Sequence, residues 1–97
     1  MLKPDIAERI RAIFLHDGSA VTIFDFVILL GWPISTFGAA LKWRVITIED
    51  PAAVVPHISH AQLLEKAREQ WSAAEIAEAL GDDASRVLAS THAPAGA

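Results

Sequence analysis

Cysteine is absent from this chain of 97 residues, which excludes disulfide bonds, thiolate metal sites and cysteine nucleophiles. Positive charge is also scarce, because eight basic side chains stand against twelve acidic ones and the net charge is −4. That balance excludes a generally basic surface for coating nucleic acid. The chain is nevertheless 53% hydrophobic, which predicts a folded single domain and not a disordered segment.

Long apolar runs are missing as well. The longest run, residues 26–32, is far below the ~20 residues that span a bilayer. The N-terminal segment leads into a charged amphipathic stretch and lacks the apolar core of a signal peptide. We therefore expect a soluble, cytoplasmic protein with no membrane partner.

Local signals predict a mainly α-helical fold. Pro4 suits the first position of a helix, and an apolar stripe follows at helical spacing, formed by Ile6, Ile10, Ile13 and Phe14. Two further helices are expected at residues 23–30 and 34–43. Gly31 lies between them, where a left-handed turn would favour glycine.

Clusters of β-branched residues interrupt this helical pattern. They predict short strands at residues 19–22, 44–48 and 53–56. The last two are separated by an acidic turn that contains proline, so we expect them to pair as a small antiparallel hairpin.

Beyond residue 57 the pattern is purely helical. Ser59 with Gln62, and Ser72 with Glu75, have the spacing of helix-capping boxes. The first of these helices is expected to bury a face formed by Ala61, Leu64, Ala67 and Trp71. A last short helix would carry Val87 and Leu88.

These elements predict one domain with two parts and a tail. Residues 1–57 would form the first unit, and residues 58–90 a helical extension packed on it. Residues 91–97 form a tail of mainly small residues, THAPAGA, and we expect them to be disordered.

The central segment, residues 26–41, reads FVILLGWPISTFGAAL. It resembles the helix-turn-helix of bacterial transcriptional regulators, in which an apolar pair is followed by Leu-Gly, an apolar residue and a Ser-Thr stretch. The resemblance is strongest over residues 22–44. It extends loosely, as a winged helix-turn-helix with a β-hairpin wing, to the whole first unit.

Each residue of this pattern has a physical reason. Leu30 buries the end of one helix, Trp32 fills the corner between the helices, and Phe37 points inward. Ser35 and Thr36 project from the first turn of the next helix, where a major groove would be met.

The resemblance implies a small DNA-binding transcriptional regulator or accessory factor that inserts its third helix into the major groove of double-stranded DNA. Ser35 and Thr36 would then face the groove, while Lys42 and Arg44 would contact the phosphate backbone. Further backbone contacts are expected from the basic residues near the N-terminus, which are Lys3, Arg9 and Arg11.

A second interpretation keeps the scaffold but not the DNA, and makes the protein a homodimer or a protein-interaction module. Gly38 and Ala39 stand where such regulators place polar base-reading residues, and the acidic wing tip would repel phosphates. Ile28 and Leu29 make the second helix apolar on every side. We expect both to be buried, either under the C-terminal helices or under a second chain.

The central pattern recurs fifty residues later, at residues 76–88. Gly81 corresponds there to the turn glycine, but Asp82 replaces the corner tryptophan and Asp83 is a helix cap that repels phosphate. The repeat predicts a helical hairpin for packing and not a second DNA reader.

Catalytic and metal sites are not indicated. His57 and His60 have a spacing that could hold zinc, but no cysteine and no His-Glu-x-x-His pattern accompany them. Trp43 and Trp71 could stack nucleic acid bases, but their helical spacing from apolar residues favours the core, and we expect both there. The acidic residues of the C-terminal half form a solvated face, and no nucleophile–base pair or phosphate loop is present. We expect no enzyme activity, no cofactor and no metal.

Overall fold

The computed structural model describes the backbone of residues 2–91 and the side chains of residues 2–87. The elements follow in the order α1 (Pro4–Phe14), β1 (Ala20–Thr22), α2 (Ile23–Leu30), α3 (Ile34–Lys42), β2 (His57–Ser59), α4 (His60–Gln70), α5 (Ala73–Leu80), a 3₁₀ turn (Gly81–Asp83) and α6 (Ala84–Thr91). The prediction of a mainly helical protein with a small antiparallel sheet is confirmed. The predicted disordered tail lies outside the described residues, except for its first residue, which ends α6.

Several helices begin where local chemistry predicts. The Thr22 hydroxyl accepts a hydrogen bond from the backbone amide of Asp25, at 3.1 Å, and so caps α2. Ser72 and Glu75 form a complete capping box at the start of α5, because each side chain bonds the backbone amide of the other. These caps satisfy amide groups that have no partner inside their own helix.

The sheet joins the segment that precedes α2 to the segment that precedes α4. β1 and β2 pair antiparallel, with Ala20 opposite Ser59 and Thr22 opposite His57. The predicted strand at residues 19–22 is therefore confirmed. The predicted wing hairpin is wrong, since neither of its segments is a strand.

The first of these segments, residues 44–48, is held by bonds other than a β-ladder. The Val45 amide bonds the Ala40 carbonyl at 2.9 Å, which closes the end of α3. The Thr47 amide and carbonyl both bond the side-chain amide of Gln62 on α4, at 2.8 and 3.0 Å. Because Gln62 takes both polar groups of Thr47, that residue cannot pair with a strand.

The second segment, residues 53–56, follows a turn closed by a bond from the Ala53 amide to the Asp50 carbonyl. The Pro56 carbonyl accepts a bond from the Ile23 amide at 3.2 Å. Proline at the end of the segment removes a backbone donor, and the residues that pair with β1 come directly after it. The β-branched composition thus marks an exposed loop and not a strand.

The core gathers around α1, which contacts α2, α4 and α5. Its fully buried side chains include Ile10, Ile13, Phe26, Leu30, Ile46, Ile58, Leu63 and Leu80. Trp71 is buried, so its expected core position is confirmed.

Other expectations about burial are wrong. Trp43 is 72% exposed and Ile28 is 65% exposed, while Leu29 is half-buried. No element of the described chain covers the outer face of α2, so the C-terminal helices do not bury Ile28. On α4 the buried face is rotated from the expected one, because Leu63 is buried and Ala61 is exposed.

The two central helices meet at a sharp angle. α2 and α3 are bent by 118° at the three residues that separate them. Within the described residues, no single helix is long and apolar enough to cross a membrane, and only this bent pair reaches the necessary length and composition when its helices are taken together.

Candidate functional site

The turn between α2 and α3 depends on a left-handed glycine. Gly31 has φ +70° and ψ +30°, and its amide bonds the Ile28 carbonyl at 3.1 Å. The next amide, of Trp32, reaches back to the Val27 carbonyl at 3.0 Å. This pair of bonds is a Schellman motif, in which glycine is favoured because it has no Cβ to strain the positive φ. The predicted left-handed turn is confirmed.

Three aromatic rings fill the corner behind this turn. Phe26 packs edge-on against Trp32, with ring centroids 5.5 Å apart. It also packs against Phe37 in a tilted arrangement, with ring centroids 6.0 Å apart. Phe26 and Leu30 are fully buried, and Phe37 is nearly so. The predicted corner is confirmed, with Trp32 half-buried at its outer edge.

Side chains from distant elements hold the end of α2. Arg9 on α1 donates from Nε to the Leu29 carbonyl at 2.9 Å. Gln70 on α4 donates from Nε2 to the Leu30 carbonyl at 2.6 Å and accepts from Trp32 Nε1 at 2.9 Å. These bonds satisfy carbonyls that the helix end leaves open, and they fix the corner against the rest of the fold. Nothing in the sequence around Arg9 or Gln70 predicts this role.

The outer face of α3 is open to solvent. Only Phe37 and Ala40 of this helix are buried. Ser35 and Thr36 are exposed in its first turn, as predicted, and Lys42 is exposed at its other end. Ser35 and Lys42 are seven positions apart, which places them ~10 Å apart along the helix axis. Two smaller exposed residues lie between them, Gly38 and Ala39.

The far end of α3 has the same closing motif as α2, but with arginine in the left-handed position. Arg44 has φ +57°, and its amide bonds the Leu41 carbonyl at 3.1 Å. The Val45 amide bonds the Ala40 carbonyl, as Trp32 does to Val27 at the end of α2. A side chain in this conformation costs on the order of 1 kcal/mol relative to glycine. Arg44 is exposed, as the DNA interpretation requires.

Two of the basic residues expected on phosphates are used inside the protein. The Arg9 guanidinium serves the end of α2 and also lies 5.7 Å from the Trp71 ring centroid. Arg11 donates to the carbonyls of Ala79 and Leu80, at 3.2 and 3.4 Å, and so caps the C-terminal end of α5. Both guanidinium groups therefore already have partners within the chain, although Arg11 and Lys3 are exposed, and their expected contacts with DNA stay a prediction.

An exposed loop stands at the position expected for the wing. It runs over residues 49–57 and is closed at its base by a bond from the Glu49 amide to the His57 carbonyl at 2.9 Å. The His57 amide donates to the Asp50 carboxylate, and this bond holds the pKa of that carboxyl below its ordinary value. The His57 ring is also bonded to the same carboxylate, through Nδ1 at 3.2 Å.

The two histidines considered for zinc have separate partners. His57 is bonded to Asp50, whereas the His60 ring donates from Nε2 to the Ile13 carbonyl at 2.7 Å. Among the described residues, no cluster of three or more histidine, aspartate or glutamate side chains is placed to hold a metal.

The recurrent pattern near the C-terminus forms the expected helical hairpin of α5 and α6. The 3₁₀ turn joins the two helices, and Gly81 within it has φ +57°. Asp83 lies in this turn and pairs with Arg86 at 3.0 Å.

The outer face of α2 carries exposed apolar side chains. Phe24 and Ile28 lie one helical turn apart, and they are 62% and 65% exposed. The first turn of α3 exposes a further apolar side chain, Ile34, beside its two hydroxyl groups.

Comparisons of this chain with models of known protein families, with curated proteins and with solved structures found no match.

Proposed function

We propose that this protein is a small DNA-binding regulator or accessory factor that inserts α3 into the major groove of double-stranded DNA. The observation that carries the proposal is the open outer face of α3, with hydroxyl groups in its first turn and cations at its end. An α-helix is 10–12 Å wide, which suits a major groove of about 12 Å. Gly38 and Ala39 would let the backbone of α3 approach the base edges closely.

The fold we propose is a helix-turn-helix with a reduced wing. The 118° bend between α2 and α3 lies within the range of such pairs. In this proposal the β1–β2 sheet and the loop of residues 49–57 would stand in for the wing. Because that loop is not a hairpin and its base is acidic, it offers little to phosphates.

The exposed polar residues of α3, together with Arg44 just beyond it, have two proposed roles. Ser35 and Thr36 would bond base edges and so read sequence. Lys42 and Arg44 would bond phosphates, which positions the protein on the duplex without reading sequence.

The phosphate contacts can be tested through the salt dependence of binding. We expect the Lys42→Ala/Arg44→Ala variant to bind all duplexes more weakly, because two neutralised phosphates are lost. The slope of log K against log salt should become shallower by about 0.9 for each lost contact. Fluorescence anisotropy with labelled genomic fragments at several salt concentrations measures both effects.

Two further variants complete this experiment. Arg86→Ala removes a cation of similar exposure on α6 and should leave the slope unchanged. Thr36→Ala should change the preference among sequences while leaving non-specific affinity nearly intact. A wild-type protein that shows no salt-dependent binding at low ionic strength contradicts the proposed function.

The exposed apolar face of α2 favours a second candidate function, which is binding to another protein chain. Phe24 and Ile28 present apolar surface that no described part of the chain covers. Such an interface would respond little to salt, since it releases no counterions. It would form on the same scaffold whether or not DNA is bound.

The second candidate predicts a dimer that a single charge disrupts. Ile28→Asp should shift a self-associating wild-type protein to monomer in analytical ultracentrifugation, because a carboxylate would be buried without a partner. Val54→Asp places the same charge on a fully exposed residue of the loop and should leave the association unchanged. A monomeric wild-type protein at high concentration would rule out the homodimer.

A further inference from the structure

An aromatic ring at the end of α3 faces solvent and has a basic residue on either side of it in sequence. Trp43 is 72% exposed, whereas Trp71 is buried and Trp32 is half-buried. Lys42 precedes it, and the Lys42 ammonium lies 5.6 Å from the indole ring centroid. Arg44 follows it and is exposed as well. The ring therefore has no place in the core, although its neighbours Ala40 and Ile46 do.

The residue after Trp43, Arg44, has a strained backbone conformation that a glycine would adopt without strain. Arg44 occupies the left-handed position that Gly31 occupies at the end of α2, with the same pair of closing bonds. Glycine at position 44 would close α3 equally well and at lower cost. Strain of this kind is typical of positions where the side chain serves a binding role.

The charge of the surrounding segment favours an anionic ligand. No acidic residue occurs from position 26 to position 48, although the chain as a whole has twelve. Lys42 and Arg44 are the only charged residues in that segment. A polyanion would therefore meet two cations and no carboxylate from this segment, whose flanking acidic residues are Asp25 and Glu49.

We propose that Trp43, Lys42 and Arg44 form a binding site for an unpaired base of a nucleic acid strand. The base stacks on the indole ring, and the phosphates on either side of it bond the ammonium and guanidinium groups. Bases inside a duplex have both faces covered by their neighbours, so stacking requires a single strand or an unpaired position. This inference extends the proposed function, because both rely on nucleic acid bound along α3, but the ligand and the deciding residue differ.

A short labelled oligothymidine tests the site, because it has free bases and no duplex structure. We expect Trp43→Ala to weaken its binding roughly 5- to 150-fold, the usual range for one lost stacking contact. Trp43→Phe should retain most of the affinity, since phenylalanine still offers an aromatic face. The wild-type tryptophan fluorescence should be quenched on binding, and the quenching should be reduced in Trp43→Phe.

Arg44→Gly separates a binding role from a structural one. Because glycine relieves the positive φ, the midpoint of thermal unfolding should rise by about 4 °C. The affinity for oligothymidine should fall, since one phosphate partner is lost. A structural role alone predicts the rise in stability with no loss of binding.

The outcomes distinguish this inference from the proposed function. Trp43→Ala should leave affinity for a blunt duplex unchanged, and loss of wild-type duplex binding with retained oligothymidine binding would reject only the duplex proposal. Equal oligothymidine affinity of wild type and Trp43→Ala, or no wild-type binding, overturns the site. It is also overturned if Trp43→Ala dissociates a dimer formed without nucleic acid, because Trp43 would then be a protein contact.

Discussion

Replacement of Gly31 by valine is expected to destabilise the protein by about 2–4 kcal/mol. A β-branched residue resists the φ of +70° that closes α2. A Cβ at this position would also clash with the end of the Arg9 guanidinium, which would have to shift. Such a shift would strain the bond that Arg9 Nε donates to the Leu29 carbonyl at the helix end. Urea or thermal unfolding followed by circular dichroism measures the loss.

Gly38 provides the matched control. It lies inside α3, where an added Cβ would meet no heavy atom within 4 Å. Gly38→Ala should therefore stabilise the protein by roughly 0.5–1 kcal/mol, because alanine favours helix over the unfolded chain. If Gly31→Val unfolds at the wild-type midpoint, the turn is not left-handed and the corner is assigned wrongly.

Replacement of Phe37 by alanine should cost about 3–5 kcal/mol, a large part of the stability of a domain of this size. Phe37 is only 9% exposed and packs against Phe26, so its removal leaves a cavity at the corner. The same side chain is the main anchor of α3, because only one other residue of the helix is buried. Denaturant unfolding of the purified variant measures the effect.

Phe24 offers the same chemical change on the surface. It is 62% exposed, and Phe24→Ala should alter the free energy of unfolding by less than about 0.5 kcal/mol. Similar losses for Phe24→Ala and Phe37→Ala would show that α3 does not depend on the corner for its position. The comparison also tests whether α3 is attached mainly through one aromatic contact.

The candidate site depends on two bonds that cross the fold. Arg9 and Gln70 bond consecutive carbonyls at the end of α2, from α1 and α4 respectively. The angle of α3 is thus tied to both halves of the chain. A ligand bound to the outer face of α3 would therefore contact a helix whose orientation is fixed by hydrogen bonds from α1 and α4.

The exposure of Ser35 and Thr36 could be predicted from the sequence, but the hydrogen bonds that fix the end of α2 could not. Ser35 and Thr36 follow from helical periodicity once Phe37 is placed inward. Arg9 and Gln70 lie 20 and 40 residues from the carbonyls they bond. Nothing local distinguishes them from arginine and glutamine on a solvated helix face.

The sequence by itself determined where helices begin and end. Pro4, Thr22, Gly31 and Ser72 act on backbone groups within a few residues of themselves, so their effects do not wait for the rest of the fold. For the same reason α2 has the predicted limits and α5 begins at its capping box.

Only the tertiary structure decided strand pairing and burial. Residues 44–48 have strand composition, yet the Gln62 side chain occupies the backbone groups of Thr47, and β1 pairs with residues 57–59. Trp43 has apolar residues such as Leu41 and Ile46 close to it in sequence, whereas Trp71 lies between Gln70 and Ser72, yet only Trp71 is covered. The physical reason is that a strand needs a partner strand, and a side chain needs a second element to cover it. Which element lies close enough depends on contacts between residues that are far apart in sequence.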